Sequence, residues 1–179
     1  DLEIPFGEIA RIERFSDRAA RVVLRAGEEM TLSGTNDVDG RNSGISVSDP
    51  KLGQVLVQWD EFEAVAFHGV DDQAEYSAFD GGYKLQGTVV DVGGNEYTGF
   101  VRWDNDEAYS WEMLNGSYDG AEFHVEFGNI ARISRQSSQG VEVELFGGAI
   151  YQLRNSNDVD SGNRGIFVID ESGDITMVE

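Results

Sequence analysis

The chain has 179 residues and carries 34 acidic against 13 basic side chains, which gives a net charge of −21. This charge disfavours nucleic acids and anionic membranes as partners, because both would be repelled. Since the sequence contains no cysteine, it excludes disulfides, thiolate catalysis and cysteine-bound metals.

One segment of the sequence occurs twice at a spacing of 121 positions, because residues 6–49 return as residues 127–170 without a gap. About half of the paired positions are identical, including Asn36-Asp37-Val38-Asp39, which returns as Asn157-Asp158-Val159-Asp160. A fixed period of this kind is typical of repeat architectures. We call the repeated segment module A, and we expect internal duplication of one structural unit.

Module A has its first copy at residues 3–67 and its second at residues 122–179, and a different module, B, lies between them at residues 84–117. Residues 69–83 are acidic, end with glycines and a tyrosine, and show no period, so they indicate a linker. We expect module B and copy 2 to form a single unit.

Apolar residues alternate with polar neighbours throughout copy 1. The alternating pairs are Val22 and Leu24, Met30 and Leu32, Ile45 and Val47, and Val55 and Val57. A period of two predicts half-buried strands. Gly27 followed by Glu28 predicts a hairpin tip between the first two strands, and copy 2 repeats this pattern.

Module B shows the same alternation over residues 87–92 and 97–103, on either side of a glycine turn. Residues 104–115 are the best helix candidate, because Asp104 can cap a helix whose first turn is acidic. Together these patterns predict an all-β fold. We expect tandem small, twisted β-barrel or β-sandwich modules, with at most one short helix near residues 104–115.

The two copies of module A end differently. Copy 1 continues through Trp59-Asp60 to Phe67, whereas copy 2 reaches Glu179 where the matching stretch would begin. One interpretation is that the chain is a fragment of a longer B–A–B–A protein. The other is that the sheet of copy 2 is incomplete, so that its C-terminal edge pairs with another chain.

The strand and turn pattern of module A resembles small barrels of the Sm-like and SH3-like kind. The resemblance rests on about 30 residues in each copy, which in copy 1 are Val22-x-Leu24-x-x-Gly27, Leu32, Asp37-x-Asp39-x-x-Asn42 and Ile45-x-Val47. It implies a strand, a glycine turn and a second strand, followed by an Asp and an Asn before the next strand. Because the chain lacks a basic surface, this resemblance implies the fold alone and no RNA binding.

The repeated Asn-Asp-Val-Asp loop is the strongest local signal for a ligand. Asp and Asn oxygens suit Ca²⁺, which takes about six to eight oxygen ligands. The candidate ligands are Asp37, Asp39 and Asn42 in copy 1, and Asp158, Asp160 and Asn163 in copy 2. The alternative is a turn in which these side chains bond their own backbone. Apart from Ca²⁺, we expect no cofactor.

Aromatic residues concentrate between residues 76 and 127. Exposed rings stack on sugars or anchor partner proteins, whereas buried rings would pack between modules. We select Tyr109 and Trp111 as the exposed pair, with Trp103 as a third candidate for binding a ligand or a partner.

Catalysis has little support in the sequence. His68 and His124 are the only histidines, and the sequence has no nucleophile elbow, phosphate-binding loop or dinucleotide fingerprint. Carboxylate pairs such as Asp60 with Glu63, or Asp104 with Glu107, leave a glycoside hydrolase as the weaker alternative.

The sequence therefore predicts a non-catalytic β-repeat protein that acts through contact with another protein or through self-assembly. We expect it in the extracellular medium, at the cell surface or in the periplasm, since an acidic surface suits such surroundings. A Ca²⁺-dependent or carbohydrate-binding module, with a glycan as partner, is the alternative. We expect no nucleic-acid partner. We also expect no membrane insertion, because no apolar run reaches the roughly 18 residues of a spanning helix.

Overall fold

The computed structural model describes residues 2–68 and 81–178, and these residues form an all-β protein. The predicted fold class is confirmed, with fifteen strands in antiparallel sheets among the described residues. The helical residues in this part of the chain form short 3-10 turns, such as Phe6–Glu8, and none of these is long and apolar enough to cross a bilayer. Most of the predicted linker at residues 69–83 lies outside the described residues.

The strands of the first half are β1 (Ile9–Ser16), β2 (Ala19–Leu24), β3 (Glu29–Ser33), β4 (Ile45–Asp49), β5 (Gly53–Val57) and β6 (Ala64–Ala66). Those of the second half are β7 (Gln86–Val90), β8 (Glu96–Arg102), β9 (Met113–Tyr118), β10 (Ala121–Glu126), β11 (Ile130–Ser137), β12 (Gly140–Leu145), β13 (Ile150–Arg154), β14 (Ile166–Ile169) and β15 (Ile175–Val178). Strands β1 to β3 begin at residues 9, 19 and 29, and β11 to β13 begin at residues 130, 140 and 150. The strands therefore follow the same spacing as the sequence identities.

Unit 1 comprises residues 2–46 and 56–68 of the described chain. Its sheet has the order β3-β2-β1-β6. The alternation that predicted the strands places Val22 of β2 in the interior, opposite Ile12 of β1. The main buried cluster is small and contains Ala20, Val38, Trp59 and Phe62. Unit 1 therefore depends on few fully buried side chains.

Unit 2 comprises residues 47–55 and 81–178 of the described chain. One sheet has the order β11-β12-β13-β9-β10-β5-β4, and the second has the order β15-β14-β8-β7. Of β4 and β5, only the residues within 47–55 belong to this unit. The buried cluster is larger and contains Leu114, Phe123, Val125, Phe127, Val141, Val143, Leu145, Leu153 and Val159. Module B and copy 2 thus lie within one unit and share its core.

The tip of the β4–β5 hairpin, residues 47–55, belongs to unit 2. There the N–H of Glu126 donates to the carbonyl oxygen of Leu52 over 3.0 Å, which joins the tip to the end of β10. Gly53 has a φ of +129°, and a Cβ at this residue would lie 2.1 Å from the carbonyl oxygen of His124. Only glycine allows so close an approach. The sequence pattern, which placed residues 3–67 in one module, gave no sign of this division.

The prediction of a short helix at residues 104–115 is wrong. Asp104 and Asn105 have φ values of 44° and 70°, in the left-handed region, so they cannot open a right-handed helix. Trp103 and Glu107 instead form an isolated β-bridge. The segment after β8 is therefore a bridged loop that leads directly into β9.

Replacing Gly53 by alanine is expected to lower the free energy of unfolding by about 3 kcal/mol, because the new Cβ would meet the carbonyl oxygen of His124 and φ is positive there. Denaturant unfolding followed by circular dichroism measures this change. Gly147→Ala is the matched control, since a Cβ at residue 147 meets nothing within 4 Å. Equal stability of the two variants would contradict the close approach of the strands.

Candidate functional site

The loop between β8 and β9, residues 103–112, carries the candidate site of unit 2. It begins at Trp103, whose indole N–H donates to the carbonyl oxygen of Asp158 over 2.8 Å. This bond holds the loop against the Asn-Asp-Val-Asp loop of copy 2. Two regions that the sequence singled out separately therefore meet, although 55 positions separate the two residues.

Three carboxylates of this loop lie together, because one oxygen from each of Asp104, Asp106 and Glu107 lies within 4.8 Å of the others. Arg164 supplies the opposite charge. Its Nη2 lies 2.6 Å from Asp106 Oδ1 and 3.3 Å from Asp104 Oδ2, and its backbone N–H also donates to Asp104. The Asp104 side chain is buried and also accepts a hydrogen bond from Asn157. The Arg164 guanidinium thus offsets part of the negative charge of this group.

Burial and charge together set the proton affinities in this group. Partial burial raises the pKa of Glu107 to about 7, and the negative charges of Asp106 and Asp158 add to the shift. Burial likewise raises the pKa of Asp158, against hydrogen bonds from the backbone and side-chain N–H groups of Asn115. The Arg164 guanidinium, by contrast, lowers the pKa of Asp106. Near neutral pH, Asp106 is therefore ionised while Glu107 is partly protonated.

The predicted Ca²⁺ ligands of copy 1 bond within their own loop. The Asp39 carboxylate accepts a hydrogen bond from Nη2 of Arg41 over 2.7 Å, and the side-chain bonding to Arg41 lowers the pKa of Asp39. Asn42 donates from Nδ2 to the carbonyl oxygen of Asp37 over 3.0 Å and accepts the N–H of Gly44 over 2.8 Å. These are the bonds of a turn stabilised by its own side chains.

Copy 2 forms the same kind of turn. Asn163 donates to the carbonyl oxygen of Asp158 over 3.2 Å and accepts the N–H of Gly165 over 2.9 Å. Asp160 accepts the N–H of Gly162 over 2.7 Å. The turn alternative thus describes the bonding in both loops, while the Ca²⁺ assignment stays a prediction. The three carboxylates that the structure brings together belong to neither loop.

Tyr109 and Trp111 form an exposed pair of rings, which we call the aromatic shelf. The ring planes lie 20° apart with centroids separated by 6.2 Å, and the two residues are 38% and 45% exposed. The Glu112 carboxylate accepts the N–H of Tyr109 over 2.8 Å, and a Cβ at Gly82 would lie 2.9 Å from Cδ1 of Trp111. Trp103 is instead half-buried against the core of unit 2. The binding role of these three aromatic residues stays a prediction.

Two basic residues near the site were missed by the sequence analysis. Arg164 pairs with Asp104 across 60 positions, and no local pattern connects them. Lys84 forms an isolated bridge with Tyr109, and its Nζ lies 5.8 Å from the ring centroid of Phe100, which is 45% exposed. The scarcity of lysine, which occurs only twice in the chain, was the one available signal for Lys84.

Comparisons with models of protein families, with curated proteins and with solved structures found no match for this chain. The resemblance of module A to Sm-like and SH3-like barrels therefore stays an expectation about the fold. The function has to follow from the residues of the site itself.

Glu107→Gln is expected to stabilise the protein at pH 8 by on the order of 1 kcal/mol. Solvent partly screens this carboxylate, so the gain in stability is smaller than it would be at a fully buried position. Folding raises the pKa of Glu107 from its ordinary 4.5 to about 7. The unmodified protein therefore loses stability as the pH rises through that window, whereas the variant does not. Urea unfolding at several pH values should show a higher free energy of unfolding for Glu107→Gln than for the unmodified protein at pH 8. This difference should vanish near pH 4.5.

Glu122→Gln is the control for this experiment, because Glu122 is exposed. It should show no comparable dependence on pH. If the gain in the free energy of unfolding of Glu107→Gln stays constant between pH 4.5 and pH 8, burial of the carboxylate is not its cause.

Proposed function

We propose that this chain is a non-catalytic binding protein, and that its contact surface in unit 2 is the aromatic shelf of Tyr109 and Trp111. The observation that carries the proposal is the pair of nearly parallel, exposed rings on a bridged loop. Large aromatic side chains are favoured anchors at protein interfaces, because they bury much apolar area with few rotatable bonds.

Hydrogen bonds within the chain hold the shelf in position. The Glu112 carboxylate accepts the backbone N–H groups of Ala108 and Tyr109. Ser110 donates its N–H to the carbonyl oxygen of Tyr83 over 2.8 Å and accepts the N–H of Tyr83 at its hydroxyl over 3.1 Å. A surface fixed in this way loses little conformational entropy on binding, so more of the interaction energy remains as affinity. This supports a role in binding.

The charge of the chain indicates the chemistry of the partner. At a net charge of −21 the protein attracts basic surfaces and repels acidic ones. The loop that carries the shelf, residues 103–112, contains four acidic residues and no lysine or arginine. We therefore propose a protein partner with a basic and apolar surface. The same acidity supports an extracellular, cell-surface or periplasmic location.

The three clustered carboxylates of the same loop, those of Asp104, Asp106 and Glu107, give little support to a hydrolase. A glycosidase needs two carboxyl groups that reach a sugar from either side of the bond to be cleaved. Asp104 is buried and bonded to Arg164, so it has no access to a substrate in this arrangement. His124 is also engaged, because its Nδ1 lies 2.6 Å from Oδ1 of Asn115. These contacts support a role without catalysis.

A carbohydrate is the second candidate ligand of the shelf. The nearly parallel rings of Tyr109 and Trp111 offer flat apolar surface, on which sugar rings stack.

Selection from a displayed peptide library tests the proposal. We expect the unmodified protein to enrich peptides rich in lysine, arginine and aromatic residues. Fluorescence anisotropy with a labelled, selected peptide should show that Trp111→Ala, and likewise Tyr109→Ala, weakens binding by at least about tenfold, which corresponds to about 1.4 kcal/mol. Val92→Ala is the matched control, since Val92 is 97% exposed but lies outside the shelf.

A glycan array probed with the same proteins covers the second candidate. An oligosaccharide that binds the unmodified protein but not Trp111→Ala would identify a sugar as the ligand in place of a protein. The proposal fails if no peptide or glycan depends on the two shelf residues, or if Val92→Ala loses binding equally.

A further inference from the structure

Among the described residues, strand β3 of unit 1 has a free edge where its counterpart in unit 2 has a neighbour. β3 and β13 lie at matched positions of the two copies of module A. β13 pairs with β12 on one side and with β9 on the other. β3 pairs with β2, and no other strand of the described chain lies beside it.

The missing neighbour changes the burial of two matched leucines. Leu153 of β13 is fully buried, and a Cβ built at Gly116 of β9 would lie only 2.8 Å from the Cβ of Leu153. Leu32, its counterpart in β3, is half-buried. The apolar side of β3 therefore lacks the cover that β9 gives to β13.

The free edge of β3 is suited to accept another strand. The N–H of Leu24 donates to the carbonyl oxygen of Glu28 over 2.8 Å, and hydrogen bonds alternate in direction along an antiparallel pair. The backbone groups of Met30 and Leu32 thus face β2, whereas those of Thr31 face away from it. Natural edges are commonly protected by charged side chains, proline or a bulge, and of these β3 has only one charge, Glu29 at its first residue.

We propose that β3 pairs with β3 of a second copy of this chain, antiparallel and about a two-fold axis at Thr31. The two Thr31 residues then exchange backbone N–H···O bonds across the axis. This register places Glu29 opposite Ser33, so that no acid faces an acid. It also places Met30 opposite Leu32, so that two half-buried apolar rows continue across the edge. The strand is thus its own complement.

The β3 strand of a second copy fits this edge better than β9 or β15 of that copy would. β9, which covers the matched edge in unit 2, is already paired with β10 and β13, so a folded copy cannot lend it. The C-terminal edge strand, β15, follows an acidic turn that contains Asp170, Glu171 and Asp174. Two such edges would bring like charges together. β3 carries one acid, Glu29, at its first residue and follows one more, Glu28, so fewer acids lie at this edge.

The charge of the chain gives this association a definite dependence on salt. Each copy carries a net charge of −21, so two copies repel at low ionic strength. Because a single pair of short strands makes a small interface, we expect weak, transient association, with tighter pairing as salt screens the repulsion. The edge lies in unit 1 and the aromatic shelf in unit 2, so this inference goes beyond the proposed function and does not rest on the shelf.

Cysteine crosslinking tests the two-fold axis directly. Thr31→Cys would place two cysteines opposite each other as a hydrogen-bonded residue pair of the antiparallel ladder. The Cα atoms of such a pair lie about 5.5 Å apart, a separation that a disulfide can span. Since the chain has no other cysteine, oxidation should give a disulfide-linked dimer in at least about tenfold higher yield than the control. That control is Gln152→Cys, at the matched residue of β13, a strand that has a neighbour on both sides.

Sedimentation of the cysteine-free protein gives the second readout. The mean mass should rise between about 1 µM and 1 mM protein, and more steeply with added salt. Thr31→Glu, which brings two carboxylates together at the axis, should abolish this rise, whereas Gln152→Glu should not.

Equal crosslinking of the two cysteine variants, or an unchanged rise in mass for Thr31→Glu, would overturn the proposal. Trp111→Ala should leave both readouts unchanged, and Thr31→Glu should leave peptide binding unchanged. Failure of the β3 pairing is therefore distinguishable from failure of the aromatic shelf.

Discussion

Backbone pairing at the two edges of the β9–β10 hairpin is the constraint that joins the strands of the larger sheet. β9 pairs with β13 and β10 lies beside β5, so the larger sheet is continuous only through this hairpin. Both junctions need a glycine, because Gly116 lies against Leu153 and Gly53 lies against the carbonyl oxygen of His124. A side chain at either glycine would push the strands apart. The buried cluster, which takes several of its members from the hairpin, would lose its cover.

The two copies of module A show that identical residues can have different surroundings. Phe127 is 7% exposed in unit 2, whereas its counterpart Phe6 is 67% exposed in unit 1. Leu153 is likewise buried, whereas its counterpart Leu32 is half-buried. The burial of a residue therefore depends on its neighbouring strands and not on the residue type alone. Wherever one copy lacks a neighbour that the other has, the completed copy shows which geometry the exposed edge is able to accept.

Local patterns were sufficient to predict strands such as β2, because a period of two depends only on adjacent residues, and Val22 is buried as that period requires. They did not predict β1, β6, β9, β10 or β11. The helix expected after β8 was wrong because acidic residues in a first turn equally suit a loop whose carboxylates bind an arginine. The contacts that build the site could not be predicted. Trp103 meets Asp158, and Arg164 meets Asp104, across 55 and 60 positions. In a chain with 34 acidic residues, no local signal tells which carboxylate will meet which cation.

The three tryptophans of the chain lie in three distinct surroundings. Trp59 is 4% exposed in the buried cluster of unit 1, Trp103 is half-buried in unit 2 with its indole N–H bonded to a carbonyl oxygen, and Trp111 is 45% exposed. Indole emission moves to longer wavelength as water gains access, so the native spectrum combines a blue, an intermediate and a red component. Versions of the chain that keep one tryptophan each would give the two units separate optical signals, and the melting of one could be followed apart from the other.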